Sequence, residues 1–380
     1  MSQRFNTDDF IVPFHCCSSL IPEFIVPNCS YQFQLGKIIG HGSYGSVFQM
    51  SNSQYVIKII WENSSHRFQT PNESIEYSFW EMVHQVVQTP NSWPSHWAEV
   101  FVVGYITKTI QLDKRTYNSG SPILIMPLYL HWNDIFQNMP QSLKRNPARL
   151  FYVWKILLFA MCHLQQKWNF VHLDLKLGNI LFDTSGNIRI IDFGLIEPLG
   201  ITNQMSLLFP MFNEKYVKTL AKESTEILNY HKPFPVLHRN IIRELYYIWP
   251  PSPCSLRGLM TYSLVICQFE MVYDNNVYKF QGTRWHWAKY LQDLFNRGYP
   301  KSWIHLLELC SQGNIEVCYL YQIVEQKFIE ENHINPDWKQ ELDQFIQSAK
   351  KIIESKIIYT NGPPISSVVA DLSLNNSQTP

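Results

Sequence analysis

Asp174, Lys176, Asn179 and Asp192 are the polar residues whose types and spacing point most directly to chemistry. They are carried by Val171-His172-Leu173-Asp174-Leu175-Lys176-Leu177-Gly178-Asn179-Ile180-Leu181-Phe182 and by Ile190-Ile191-Asp192-Phe193-Gly194. Phosphoryl transfer asks for little covalent help from a protein. It needs the acceptor hydroxyl oriented, charge neutralised and metal ions held against the phosphates. Asp174 suits a carboxylate that accepts the hydroxyl proton, and Lys176 is close enough to reach a γ-phosphate. Asn179 and Asp192 supply the hard oxygen ligands that Mg2+ prefers. Loop Asp and Asn residues that only make turns are the competing explanation, and the coincidence of all these spacings weighs against it.

A second group lies earlier, in Gly40-His41-Gly42-Ser43-Tyr44-Gly45-Ser46-Val47. Here Gly40, Gly42 and Gly45, with Ser43 between them, let a backbone approach a triphosphate and present its N–H groups. Glycines of an ordinary hairpin, or of a dinucleotide site, give a similar string. A dinucleotide loop opens a helix, however, and Val47–Met50 reads as a strand. On the next strand pattern, Val56-Ile57-Lys58 places a lysine to hold α- and β-phosphates. That cation needs a carboxylate from a helix. Glu76 is the choice, because Phe79, Trp80 and Val83 at +3, +4 and +7 can pack while Glu76 faces Lys58. Glu73 and Glu81 remain rivals, and any of the three can instead be a solvated helix charge.

These groups need elements to position them. Gln32–Ile38, Val47–Met50, Tyr55–Ile60, Val100–Ile106 and Ile123–Met126 have strand character. Residues 73–88 carry Ile75, Phe79, Met82, Val83 and Val86 at helical spacing. Beyond Pro127 the pattern turns helical. Leu150, Val153, Leu157, Met161 and Leu164 make one stripe, and Phe151, Trp154 and Phe159 make other faces apolar, which predicts a helix buried nearly all round. A short β/loop region (171–194), an irregular stretch (195–255) and helices to about residue 358 follow. The order implies an α+β fold in two lobes: an extended arm at 1–30, a strand-rich lobe at 31–128, a helical lobe at 129–360 and a disordered tail at 361–380. Within the tail, Val368–Leu372 is a candidate docking segment.

Composition narrows the function classes. With 46% hydrophobic and 16% charged residues, most of the chain is expected to fold. Its 31 basic and 31 acidic side chains cancel without a polybasic block, so neither nucleic acid nor an anionic membrane is the expected main partner. Cys16, Cys17, Cys29, Cys162, Cys254, Cys267, Cys310 and Cys318 show no metal spacing and read as free thiols in a reducing compartment. Sequons at Asn28, Asn63, Asn72 and Asn375 follow no signal-peptide pattern, so glycosylation is not expected. The apolar runs Leu150–Leu164 and Leu259–Tyr273 are short for a bilayer span, and the protein reads as soluble and intracellular.

With the Gly-rich loop and the strand lysine in order before it, the 171–194 segment resembles the protein-kinase catalytic loop H-R-D-L-K-x-x-N and its metal-binding D-F-G. The resemblance covers about residues 31–310. It implies a Ser/Thr kinase using ATP and Mg2+, with Asp174 as base, Lys176 on the γ-phosphate, and Asn179 and Asp192 as metal ligands. His172 and Phe193 would belong to a hydrophobic spine. Val47 and Val56 would line the adenine pocket with Leu181, and Met126 would be the gatekeeper. The Pro127 carbonyl would accept from adenine and the Tyr129 N–H would donate.

Departures narrow the family further. Leu173 stands where many kinases have an arginine that receives an activation-loop phosphate, so regulation by that phosphate is not expected. No Ala-Pro-Glu follows Gly194, and Leu256–Thr261 contains no acid. Lys232-Pro233-Phe234, Leu245-Tyr246-Tyr247, Pro250-Pro251-Ser252-Pro253-Cys254 and Tyr262-Ser263-Leu264 form a progression similar to the herpesvirus conserved protein kinases. That resemblance implies protein substrates among viral and host nuclear proteins, including the nuclear lamina, and location in the host nucleus and virion tegument. Two other classes compete: a pseudokinase-like binding scaffold, and a small-molecule phosphotransferase of the choline or aminoglycoside type. The complete set Lys58, Asp174, Asn179 and Asp192 argues against the first, and Lys176 with an intact Asp-Phe-Gly argues against the second.

Overall fold

The computed structural model describes residues 11–19, 30–41, 45–50, 54–61, 74–87, 93–112, 115–132, 147–172, 174–199, 285–311 and 315–334, with scattered positions between 135 and 139, 260 and 271, and 340 and 352. Gly42, Ser43, Glu73 and Leu173 lie outside these residues, as do the asparagines of the four sequons, most of the 195–255 stretch and the tail with its candidate docking segment.

The first lobe is a closed barrel. Strands β1 (Ile11–Ser19), β2 (Ser30–His41), β3 (Gly45–Met50), β4 (Tyr55–Ile60), β8 (Pro122–Pro127) and β5 (Val102–Ile106) follow one another around it in that order. Strand β1 lies within the segment read as an extended arm. It pairs antiparallel with both β2 and β5, so this part of the arm joins the sheet through its backbone. A side ribbon of β6 (Ile110–Leu112) and β7 (Arg115–Tyr117) adds Leu112 and Tyr117 to the barrel core around Phe48, Ile57, Ile59, Ile123 and Ile125.

Strand alternation sets which face Lys58 takes. Ile57 and Ile59 point into the barrel core, so Val56, Lys58 and Ile60 point to the opposite face, where Val56 and Ile60 join the larger core shared with the second lobe. Pairing of Val56 with Met126 and of Lys58 with Leu124 keeps the two strands in step on that face.

Helix α1 (Ile75–Val86) begins at Ser74, whose hydroxyl accepts from the Tyr77 N–H at 3.4 Å, and ends where the Val87 N–H reaches the Val83 carbonyl. It buries Glu76, Phe79, Trp80 and Val83 against the barrel and leaves Val86 exposed.

The second lobe is helical. Helix α2 (Pro147–Trp168) buries the Leu150–Leu164 stripe with Phe151 and Trp154, but Phe159 stays 38% exposed beside Tyr321, so the helix is wet along one edge. From it the chain runs through β10 (Phe170–His172), a tight turn at Leu177–Asn179, β11 (Ile180–Phe182), β12 (Ile188–Ile190) and β13 (Ile196–Pro198). Helices α3 (Trp285–Asn296), α4 (Lys301–Ser311) and α5 (Val317–Ile334) complete the described part. No described helix is long and apolar enough to cross a membrane.

Cysteine usage departs from expectation at one place. Cys267 is a buried thiol outside any bridge, but Cys162 on α2 is bridged to Cys318 on α5, with Cα atoms 4.7 Å apart and a sequence separation of 156. Packing of α5 against α2 decides this pairing, which no sequence spacing announces. Closing so long a loop stabilises the folded state by about 5 kcal/mol in the chain-entropy account. Reduction with dithiothreitol is therefore expected to lower the thermal midpoint, and Cys318→Ser to lower it equally and remove the response. An unchanged midpoint on reduction would count against the bridge.

Candidate active site

Every described residue expected at the site lines one cavity of about 970 Å³ between the lobes: Gly40, Gly45, Val47, Val56, Lys58, Glu76, Met126, Tyr129, Asp174, Lys176, Asn179, Leu181 and Asp192. Sequence reasoning missed Ile39, Ala98 and Leu128 on its walls. Ile39 was discoverable as the apolar residue entering the glycine string; Ala98 carries no local signal.

Lys58 is the pivot. Its Nζ donates to Glu76 Oε2 at 2.6 Å and to Asp192 Oδ1 at 2.7 Å. The geometry selects Glu76 over Glu81, which lies further along α1, half-buried and with its carboxyl pushed up by burial. Burial alone would lower the Lys58 pKa, but the Asp192 and Glu76 carboxylates outweigh it and hold the ammonium charged well above its ordinary value. Asp192 shows the converse. Burial pushes its carboxyl up, yet Lys58 outweighs that and holds it below the usual range. Asp192 also takes left-handed backbone, φ 63°, a conformation that Asp tolerates better than most residues.

Gly45 is needed here for close approach. A Cβ on it would lie 2.9 Å from the Ile59 carbonyl oxygen and 3.4 Å from Lys58 Cε, so any side chain would displace the strand that carries the lysine. Across the turn, His41 Nδ1 and Ser46 Oγ are 2.9 Å apart and join the last residue of β2 to β3.

On the cavity floor, Lys176 Nζ reaches both Asp174 oxygens, at 2.9 and 2.8 Å. The Asn179 amide nitrogen donates to the Asp174 carbonyl at 2.7 Å and to Oδ2 at 3.0 Å. Burial pushes the Asp174 carboxyl above its ordinary value, against the pull of Lys176. The Ile191 N–H donates to the Asn179 carbonyl at 3.0 Å, which ties the turn to the strand leading into Asp192.

Behind these groups stands an aromatic cage. The Phe193 ring is fully buried, stacked on Phe79 with centroids 5.0 Å apart, and meets Trp80, Trp97 and His172 at 4.9, 5.2 and 5.0 Å. Burial drives the His172 imidazole down to about 4, so this ring is a neutral packing surface. Phe79 and Trp80 sit on α1 with Glu76, so the cage that seats Phe193 also sets the Lys58–Glu76 contact.

His84, on the same helix, gives a pH dependence of stability. Its Nε2 sits 2.8 Å from the Val100 carbonyl, Nδ1 has no partner, and burial lowers its pKa to about 4. The folded state holds the ring neutral while the unfolded chain takes up a proton near pH 6.5. Its contribution is thus complete above pH 6.5 and is lost as pH falls toward 4, by up to about 3 kcal/mol. Urea unfolding at pH 7.5 and pH 5 is expected to show the loss, and His84→Gln to remove that part of it. Equal pH sensitivity in the variant would refute the assignment.

A two-lobed fold with a lysine clamped between two carboxylates over an Asp/Lys/Asn floor defines a phosphate-handling enzyme class. Residues 33–234 match the protein kinase domain family, and the chain belongs to that family. It is 26% identical over 167 residues to the Candida albicans serine/threonine-protein kinase SCH9, covering 43% of this chain and 19% of that protein. It is 25% identical over 207 residues to the Caenorhabditis elegans ribosomal protein S6 kinase beta, covering 52% and 33%. A shorter stretch of 81 residues is 37% identical to human NUAK family SNF1-like kinase 2, covering 21% and 12%. The matches span about a third or less of these relatives. The solved structure of the ROP18 kinase domain in complex with AMP-PNP and sucrose shares the fold, with TM-score 0.53, 12% identity, and coverage of 91% of this chain and 87% of that one.

Proposed function

We propose that the chain transfers the γ-phosphoryl group of ATP to serine or threonine hydroxyls of protein substrates. The observation that carries this is Lys58 held between Glu76 and Asp192 in the cavity that also receives Asp174 and Asn179. Lys58 would bind the α- and β-phosphates, and Gly40 and Gly45 would let the β2–β3 backbone close over them. Val47, Val56 and Leu181 would enclose adenine, with the Pro127 carbonyl and Tyr129 N–H along its edge and Met126 behind. Asp174 would orient the acceptor hydroxyl and take its proton, a task its raised pKa suits. Lys176, held on Asp174, would screen charge between that carboxylate and the transferred group.

The residues fit a divalent cation such as Mg2+. Among the described residues no three His, Cys, Asp or Glu side chains form a self-sufficient metal cluster. Asp192 and Asn179 nevertheless offer oxygen donors to the cavity, and the Asn179 nitrogen is already committed to Asp174. Such a pair would hold Mg2+, whose other ligands come from phosphates and water and which neutralises phosphate charge when bound.

Two features favour Ser/Thr: Lys176 at its position after Asp174, and the Ser/Thr kinases named above among the relatives. The finer reading, a herpesvirus-type enzyme acting on viral and host nuclear proteins including the lamina, draws its support from the spaced Lys232–Leu264 motifs. Apart from Ser263 and Leu264 these lie outside the described residues. The test is incubation of purified protein with labelled Mg-ATP and a protein panel that includes lamins, beside Asp174→Asn and Lys58→Met. Label on Ser/Thr of wild-type reactions, absent from both variants, is expected. Undiminished label in the variants would sink the reading, and none in any reaction would favour a binding scaffold.

A further inference from the structure

Arg189 on β12 carries a largely buried charge that the site above leaves without a role. Its strand neighbours Ile188 and Ile190 are buried in the core. Alternation turns Arg189 to the other face, where its side chain is 15% exposed. Three groups from two other segments meet its guanidinium. Nε and Nη2 each lie 2.9 Å from Asp183 Oδ2, Nη2 also lies 2.8 Å from Glu99 Oε1, and Nη1 donates to the Trp97 carbonyl at 3.3 Å.

Asp183 is itself a rigid anchor, because its Oδ1 accepts the Ser185 and Asn187 N–H groups at 2.9 Å each. Trp97 and Glu99 belong to the segment between α1 and β5. Backbone bonds lace that segment to β12: the Ala98 N–H donates to the Ile190 carbonyl at 2.9 Å, and the Ile190 N–H to the His96 carbonyl at 2.8 Å.

The clasp touches both ends of the cavity. At one end the Glu99 N–H donates to Tyr129 Oη at 2.8 Å, and Tyr129 lies in the link between β8 and the short strand β9 (Leu130–His131), along the proposed adenine edge. At the other, β12 runs directly into Asp192, and the Trp97 ring lies 5.2 Å from Phe193. A single guanidinium fork therefore spans the connection between the adenine edge and the metal-side aspartate. Such a planar fork, unlike a point charge, holds direction as well as distance.

We propose that Arg189 is a positioning residue for phosphoryl transfer, keeping Tyr129 and Asp192 in register so that nucleotide and cation are held together. The inference rests on the kinase reading above. Its test uses the full chain as wild type, Arg189→Gln, Arg189→Lys, and Arg297→Gln as control, the last from an exposed helical pair with Asp293. Calorimetry measures the Kd for ATP at saturating Mg2+ and the Mg2+ needed for half-maximal binding, with the folded fraction of each variant read by circular dichroism.

Arg189→Gln is expected to weaken ATP binding about tenfold and to raise the Mg2+ requirement, a coupling ordinary for one network. Arg189→Lys should recover part of both, and Arg297→Gln should match wild type. If Arg189→Gln does not fold, Glu99→Ala removes the carboxylate that holds Arg189 to the segment bonded to Tyr129, leaves Asp183 and the Trp97 carbonyl on the guanidinium, and should weaken ATP binding in the same direction. Binding by the folded variant within twofold of wild type would overturn the proposal, as would losses that merely track the unfolded fraction. Wild-type protein that binds Mg-ATP but transfers no phosphate would overturn the kinase reading, while these binding ratios would still decide the role of Arg189.

Discussion

Asp192→Asn is expected to lower phosphoryl transfer by about 10³-fold or more, comparable to removing a preorganised transition-state charge contact, while the chain stays folded. Asparagine matches aspartate in size and tolerates the left-handed backbone found there, so neither packing nor φ changes. What disappears is the negative charge. Lys58 keeps Glu76 at 2.6 Å and stays seated, but loses the partner that places it against the metal side of the cavity. A neutral amide is also a far poorer ligand for a hard divalent cation. Initial rates across a Mg2+ titration, beside a thermal melt, measure both parts. A rate within tenfold of wild type at saturating Mg2+ would remove Asp192 from the proposed metal site.

Trp80→Ala is expected to cost about 3–5 kcal/mol of stability, the range for deleting a large buried aromatic. Trp80 is 1% exposed, packs edge-on to Phe193 at 4.9 Å and stacks on Trp93 at 5.7 Å. Its removal opens a void where α1 meets Phe193, so the Lys58–Glu76 contact should loosen and activity should fall beyond the loss of folded protein. The indole nitrogen has no hydrogen-bond partner, which makes Trp80→Phe the informative companion. It gives up a buried unpaired N–H along with some area, and should cost less than about 1.5 kcal/mol. Chemical denaturation of the two variants tests the ordering. Equal losses, or an Ala variant as stable as wild type, would show that the cage does not hold the helix.

The chemistry was legible because phosphate-handling residues sit at short fixed spacings on tight turns. Asp174, Lys176 and Asn179 lie on one connection, with Asp192 at the end of the hairpin that follows. A short run rich in β-branched residues likewise marked Tyr55–Ile60 as a strand to the residue, and helical spacing placed α1 within two residues at each end. Such signals are local, since backbone geometry sets the period over a few residues.

The tertiary structure alone decided what depends on distant segments meeting. It chose Glu76 over Glu81 by seating it 2.6 Å from Lys58, and it brought Lys58 and Asp192, 134 positions apart, into contact. It joined part of the apparent arm to the sheet as β1, paired Cys162 with Cys318, and set Arg189 against Trp97 and Glu99. Each of these is a long-range contact whose partner is selected by packing, so no spacing along the chain encodes it. The sequence by itself determined the phosphoryl-transfer groups and the strand-then-helix order that carries them. The tertiary structure determined which charges face one another, because burial in a shared core is what fixes their distance and their protonation.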